Sequence, residues 1–348
     1  MQYFLTKLIL LSLLLIMGLM SSCAYPLREM PVTQTEAVQK HEEDRRFSFT
    51  YSVQVHPTDE ALDIFLPVAQ SSTQQTIIDI EIESDITGKF GQEAVYGNKF
   101  WHATLPEGTP DTLDIRLTYQ VARPRNSTEY RETLDIPALS EKEKELFLNA
   151  NSRVPVAGEL VDSIRTALTP ADPMSLEKAR AIYDYVIGNM EYKKVGTGWG
   201  NGDTYWACSE KYGNCTDFHA LFISLARVEQ IPSRFEIGFP VPLDKESGKI
   251  GGYHCWVNFY LPESGWFPID ASEAKKDLSK QDLLFGNQPP DRLQFTIGRD
   301  LELGEGHNSG PLNYFIYPHI EQNGKIYSDY TRSFEYKKAK TQNPSIFT

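Results

Sequence analysis

The sequence predicts an α+β fold in which a small all-β, sandwich-like domain precedes a mixed domain of helices and strands. Three observations carry this. Apolar and polar residues alternate in several runs between positions 46 and 135. An apolar stripe at steps of three and four follows between 176 and 190. A helix opened by a cysteine and then a β-hairpin occupy 215–271. The chain has 348 residues, enough for two domains and a leader, and 41% of them are hydrophobic, ample for a packed core. Its net charge of −13 excludes a nucleic-acid binder, which needs clustered Lys and Arg.

In chain order, the leader is MQYFLTKLILLSLLLIMGLMSSC. Lys7 is its one charge, and the apolar run 8–20 is too short to span a bilayer and has the form of a signal-peptide core. Ser21 and Ser22 precede Cys23, an arrangement similar to a bacterial lipoprotein signal, with Met20 as the departure. That resemblance implies lipid attachment at Cys23 and an exported, membrane-anchored protein facing the periplasm or the cell exterior. An ordinary cleaved signal and an uncleaved anchor are the alternatives. Residues 1–22 are assigned to the signal peptide and 23–45 to a polar tether.

The all-β domain is assigned to 46–135. Its strands are read from Phe47, Phe49, Tyr51, Val53 and Val55, from Ile78, Ile80 and Ile82, and from Leu113, Ile115, Leu117, Tyr119 and Val121. Residues 136–340 form the second domain. EKEKE at 141–145 reads as a solvated helix face. Leu160, Val161, Ile164 and Leu168 keep helical spacing, and Asp172 and Ser175 offer N-caps. Leu176, Ala179, Ile182, Tyr183, Val186, Ile187 and Met190 give an amphipathic helix. A glycine-rich segment, 196–202, follows a helix where a phosphate-binding loop would follow a strand, so a dinucleotide site is rejected. A short helix near 204–212 and, at the end of the domain, strands including PLNYFIYPHI complete the reading.

The chemistry is expected in two stretches. In GNCTDFHALFISLARVEQIPSR, Gly213 and Asn214 break the preceding structure, so Cys215 opens a helix. There, free N–H groups and the dipole stabilise a thiolate and a developing oxyanion. In GYHCWVNFYLPESGWFPIDAS, His254 lies on one strand of a hairpin and Asp270 on the return. A turn of odd length brings the two onto one face within reach; an even turn separates them. Facing each other, the carboxylate would fix the imidazole and the other ring nitrogen would face the thiol. Asp217, in the first helical turn, is read as a cap or a support for the site. Trp206 and Trp199 lie upstream, with packing the simpler reading for both. Cys255 is expected on the face of its strand opposite His254. A disulfide between Cys208 and Cys255 is one possibility. A metal site built on Cys208, Cys215, His254 and Cys255 is set aside, because six residues separate Cys208 from Cys215 where zinc sites use a tight turn.

These motifs, YGNCTDFHALFISLAR with QIPSR, then GYHCWVNFY, then GWFPID, resemble the transglutaminase-like superfamily over roughly 175–275. The resemblance implies a papain-like core, a Cys215–His254–Asp270 triad, and acyl-enzyme chemistry on amides with no metal or cofactor. It also implies an aromatic residue near the oxyanion, for which Trp206 is the candidate. The function expected is amide hydrolysis of a peptide or protein substrate in the cell envelope by a cysteine peptidase. Transamidation and a non-catalytic binding scaffold are the alternatives.

Overall fold

The computed structural model describes residues 45–123, 138–168, 172 and 174–339. The leader, Cys23 and the tether up to residue 44 lie outside the described residues. The first described strand, β1 (Arg45–Val55), buries Phe47, Phe49, Tyr51, Val53 and Val55 and turns the residues between them outward. β2 (Leu62–Val68), β3 (Thr76–Ser84), β4 (Lys89–Gln92), β5 (Lys99–Leu105) and β6 (Leu113–Arg123) follow. β6 buries its expected run from Leu113 to Val121. β3 departs from the expected phase. A bulge against β6 between Ile77 and Asp79 adds a residue, so Ile77, Ile80 and Ile82 turn to the core while Ile78 is 50% exposed.

The helices form where the caps and apolar spacing place them. α1 (Glu141–Leu148) starts with a capping box between Ser140 and Glu143 and buries Phe147, leaving its acidic face in solvent. α2 (Glu159–Ala167) is followed by α3 (Leu176–Asn189), whose N-cap Ser175 accepts from the Lys178 N–H and whose buried face holds Ala179, Ile182, Tyr183, Val186 and Ile187. Two short parallel strands, β7 (Glu191–Tyr192) and β8 (Tyr212–Gly213), bracket α4 (Thr204–Glu210). α5 (Cys215–Val228) is buried from Cys215 to Arg227 and is the central helix, packed by α3, α4 and the sheet beneath it.

That sheet has the order β12 (Gly265–Ile269), β11 (His254–Leu261), β9 (Ser233–Pro240), β13 (Arg292–Ile297), and α6 (Ala271–Lys276) follows β12. The remaining strands are β10 (Ser247–Lys249), β14 (His319–Gln322), β15 (Lys325–Ile326) and β16 (Tyr330–Lys338). They join the N-terminal strands, in the sheets β10-β16-β1-β6-β3 and β15-β14-β2-β5-β4. The C-terminal strands read as part of the second domain therefore complete the sandwich: Tyr51 pairs with Phe334 and Phe65 with His319. The two sequence segments also share one core. Phe49 of β1 packs on Phe239 of β9 at 5.1 Å between ring centroids and on Phe295 of β13 at 5.6 Å, and Phe239 packs on Phe334 at 4.3 Å. PLNYFIYPHI is mostly irregular; only His319 and Ile320 enter β14. Pro311 and Pro318 lack the ladder donor, and the carbonyls of Phe315 and Ile316 accept from the hydroxyls of Thr296 and Tyr51.

Candidate active site

Cys215 is the first residue of α5. The N-cap Asn214 accepts from the Thr216 N–H through its side chain, and its own N–H donates to Asp217, closing a capping box. Asp217 does more than cap. Its two carboxylate oxygens also accept from the peptide N–H groups of Gly200 at 2.7 Å and Gly202 at 2.9 Å, so one buried side chain pins the glycine-rich loop to the helix start. Gly213 allows this approach: a Cβ there would lie 2.3 Å from an Asp217 oxygen. Arg299, buried on the other side, donates to the carbonyls of Gly202 and Asn201, and Tyr314 donates to that of Gly200. Residues 200–202 are thus fixed from three directions.

The hairpin turn has three residues, 262–264, between the paired Leu261 and Gly265. This odd length puts Asp270 on the face of His254, diagonal to it. Asp270 Oδ2 lies 2.5 Å from His254 Nε2, and Asp270 Oδ1 accepts from the Ser272 hydroxyl and from the Glu273 N–H, capping α6. With Nε2 held, the remaining ring nitrogen, Nδ1, is the one free to meet the Cys215 thiol, which is hydrogen-bonded to His254. Arg292 of β13, also buried, donates to Asp270 Oδ2 at 3.1 Å.

The electrostatics follow from these contacts. Burial alone would raise the Cys215 thiol, but hydrogen bonds to Cys255 and His254 and the His254 charge hold it well below the usual thiol value. Burial would lower His254, yet the Asp270 charge overcomes it and the imidazole is raised to about 9. Asp270 is itself held well below the carboxylate range against its burial, by the charges of His254 and Arg292 and by its hydrogen bond to His254. The arrangement is a thiolate–imidazolium pair backed by a carboxylate.

Cys255, on the strand face away from His254, is fully buried and hydrogen-bonded to Cys215. His219, one turn along α5 from Cys215, is fully buried. Burial lowers it to about 4, so the ring is neutral. Its Nε2 accepts from the Ala271 N–H at 3.2 Å, which puts the ring proton on Nδ1, 3.5 Å from Cys255 Sγ. Cys208 and Cys255 are both free thiols, so the disulfide considered between them is not formed. Trp206 does not offer the oxyanion donor proposed for it: its single N–H donates to the Tyr212 carbonyl at 3.2 Å. Trp199 likewise donates to Gly196. The residues missed by sequence reasoning are Arg292, Tyr192 and Tyr253. The last two are pushed upward first by burial and then by the Cys215 thiolate, and the Tyr253 hydroxyl accepts from the Asn214 side-chain amide at 3.1 Å, at the start of α5. Tyr253 stands next to His254 in the motif and could have been picked out; Arg292 carries no local signal.

Residues 160–271 match the transglutaminase-like superfamily profile. Over 226 residues the chain is 28% identical to an uncharacterized protein of Haemophilus influenzae, an alignment spanning 56% of this chain and 60% of that one. A crystal structure of a candidate cysteine protease from Cytophaga hutchinsonii has the same fold, with a TM-score of 0.54, 17% identity, and coverage of 86% of this chain and 92% of that one.

Proposed function

We propose that this protein, whose residues 160–271 belong to the transglutaminase-like superfamily, is a thiol hydrolase of amide bonds that works through an acyl-enzyme on Cys215. The observation that carries the reading is the buried Cys215–His254 pair with Asp270 2.5 Å behind the imidazole. The Cys215 thiolate attacks the carbonyl carbon, and charge moves to the carbonyl oxygen. The Cys215 N–H at the start of α5 is the donor that meets it; the N–H groups of Thr216 and Asp217 are already taken by Asn214. His254 gives its Nδ1 proton to the departing amine as the C–N bond breaks, leaving a thioester. The neutral imidazole then takes a proton from water, the hydroxide adds to the thioester, and the C–S bond breaks to restore the thiolate.

Transamidation shares every step up to the thioester. Water stands at about 55 M, and an amine overtakes it only where a site positions it with a higher effective molarity. Hydrolysis needs no second-substrate site and is the reading we adopt. The test supplies a competent peptide substrate with a labelled primary amine at millimolar concentration. Free acid should dominate the products, and Cys215→Ala should abolish both products. Labelled amide as the main product would make the enzyme a transamidase. Acylation absent from the wild type with every envelope peptide tried would favour a binding scaffold.

The leader supports export and lipid attachment at Cys23, which would set the enzyme against the cell-envelope polymer as substrate. Cys23→Ser should release the protein from the membrane fraction or leave it uncleaved. A mature protein that starts elsewhere and stays membrane-bound would contradict the anchor.

A further inference from the structure

We propose that Glu273 holds the water that hydrolyses the Cys215 thioester, so that deacylation has a positioning residue of its own outside the Cys215–His254–Asp270 set. The assignment rests on the acyl-enzyme reading of Cys215 and adds to it the group that handles the acceptor. Glu273 is the third residue of α6, and its N–H donates to Asp270 Oδ1 at 2.9 Å. The carboxylate that orients His254 therefore also fixes the backbone of Glu273. From there the Glu273 side chain returns to the imidazole, and its Oε1 lies 3.9 Å from His254 Nδ1. Nδ1 is the nitrogen that Asp270 leaves free, the one that must take a proton from water once the thioester has formed.

The spacing suits a shared water. A gap of 3.9 Å is too long for a direct hydrogen bond, and one water making two hydrogen bonds of about 2.8–3.0 Å spans it. The Glu273 carboxylate is held in place for this. Lys276, one turn along α6, donates to Oε1 at 2.6 Å, and its ammonium rests on the Tyr192 ring, 3.9 Å from the centroid. Tyr192 pairs with Gly213, two residues before Cys215. The Lys276 bond leaves room, because a carboxylate offers about four acceptor positions and Lys276 takes one. Access runs the same way. The Glu273 side chain is 34% exposed, against 6% for His254 and 4% for Asp270, so of these three it is the one that meets bulk water.

The protons balance on this arrangement. In the free enzyme the imidazolium is engaged with the Cys215 thiolate. Acylation transfers the Nδ1 proton to the leaving amine, so the ring becomes neutral and keeps its remaining proton on Nε2, facing Asp270. The water donates one O–H to the Nδ1 lone pair and the other to the Glu273 carboxylate, which leaves its own lone pairs for the thioester carbon. His254 takes the first proton as the C–O bond forms. The second stays on oxygen, since Glu273 accepts a hydrogen bond and no proton. The tetrahedral intermediate then expels the Cys215 thiolate as the C–S bond breaks, and the acid departs. A carboxylate also attracts an alkylammonium, but that ion has no lone pair with which to attack.

The test acetylates the full chain with 4-nitrophenyl acetate, which requires no knowledge of the natural substrate. The wild type should release a burst of nitrophenolate and carry one acetyl group on Cys215, both absent from Cys215→Ala. Glu273→Gln keeps the side-chain size and the N–H that caps Asp270, and loses the charge. Its burst rate should stay within about threefold of wild type, while its isolated acetyl-enzyme should decay about tenfold more slowly, as expected when a hydrogen bond to a charged group is lost. Then kcat and KM fall together and kcat/KM holds, whereas a merely structural defect would slow the burst. Lys276→Met, which unties the carboxylate, should slow the decay in the same direction by less. Equal decay of the wild-type and Glu273→Gln acetyl-enzymes, or a burst slowed as much as the decay, would overturn the assignment and leave the acyl-enzyme standing. So would labelled glycinamide captured as an amide by the wild type and not by Glu273→Gln, since Glu273 would then hold an amine. No acetyl group on wild-type Cys215 would sink the acyl-enzyme reading itself, and this assignment with it.

Discussion

Replacing Asp270 with asparagine removes one charge from the centre of the site, and the structure sets the size of the effect. In the native protein the Asp270 charge holds His254 at about 9 against burial, while the Arg292 charge pulls the other way. Without the carboxylate, burial and Arg292 still pull the ring down and only the hydrogen bond to Cys215 holds it up, so His254 should fall toward its ordinary value near 6.5. A fall from about 9 to about 6.5 corresponds to about 3.4 kcal/mol, or roughly 300-fold in the stability of the imidazolium. The His254 charge is one of the forces that hold Cys215 as a thiolate, so the thiol rises in turn. The assay is the rate of iodoacetamide labelling of Cys215 between about pH 5 and pH 10. The wild type should react on a plateau reaching well below pH 7. Asp270→Asn should lose the plateau and react only as an ordinary buried thiol ionises, with a deficit approaching 300-fold near pH 6. Hydrolysis by the wild type should also decline as pH rises through about 9, because His254, raised above its unfolded value, is protonated below that pH and loses the proton above it. The amide NH₂ must face either Arg292 and His254 or the Glu273 N–H, so a stability loss of about 1–3 kcal/mol should accompany the change. Labelling within threefold of wild type near pH 6, in a variant shown to be folded by its melting curve, would refute the thiolate–imidazolium assignment.

Two further predictions probe the surrounding shell. Asp217→Ala leaves the N–H groups of Asn214, Gly200 and Gly202 without their acceptor and should cost about 3 kcal/mol or more, seen as a lowered denaturation midpoint with slower Cys215 labelling; an unchanged midpoint would deny it the clamping role. Cys255→Ala removes one of the hydrogen bonds that hold the Cys215 thiol down. It should slow labelling near pH 6 by about three- to tenfold, as expected for one hydrogen bond of about 1 kcal/mol, and equal or faster labelling would show that Cys255 does not act on the thiolate.

What could be read in the sequence was what local patterns determine. The alternation in β1, the stripe of α3 and the Ser175 cap are set by residues within a few positions of one another, and the structure places them as expected. The opening of α5 at Cys215 follows from Gly213 and Asn214 alone. The meeting of His254 with Asp270 hung on the parity of one turn, which the sequence left open and the three-residue loop decides. What could not be read depends on distant pairing. β16 lies beside β1 across nearly 300 residues, so no window joins Tyr51 to Phe334. Ile78 continues an alternating run in the sequence, and only the unpaired residue of a bulge moves it outward. Trp206 has the right residue type for an oxyanion donor, and a carbonyl six residues away engages its only N–H.

Arg292 shows why the site and the fold cannot vary independently. It reaches Asp270 from β13, a strand joined to the His254 strand only through β9. Asp270 meanwhile holds the imidazole of β11, caps α6, and lies 3.7 Å from His219 of α5. One buried carboxylate therefore bears both on the β12-β11-β9-β13 sheet and on the helices α5 and α6. A buried charge is tolerated only when it is paired, and truncating one partner strands the other. Asp270 is paired with His254 and Arg292, Arg292 also with Asp291, and the imidazolium with the Cys215 thiolate. The charges alternate in sign along this chain from Asp291 to Cys215. Neutralising an interior member exposes its neighbours to uncompensated burial. Loss of Arg292 should therefore weaken Asp270 as an anion and lower stability together with thiol reactivity, whereas a group outside the chain of charges, such as the already neutral His219, can be altered without stranding an ion.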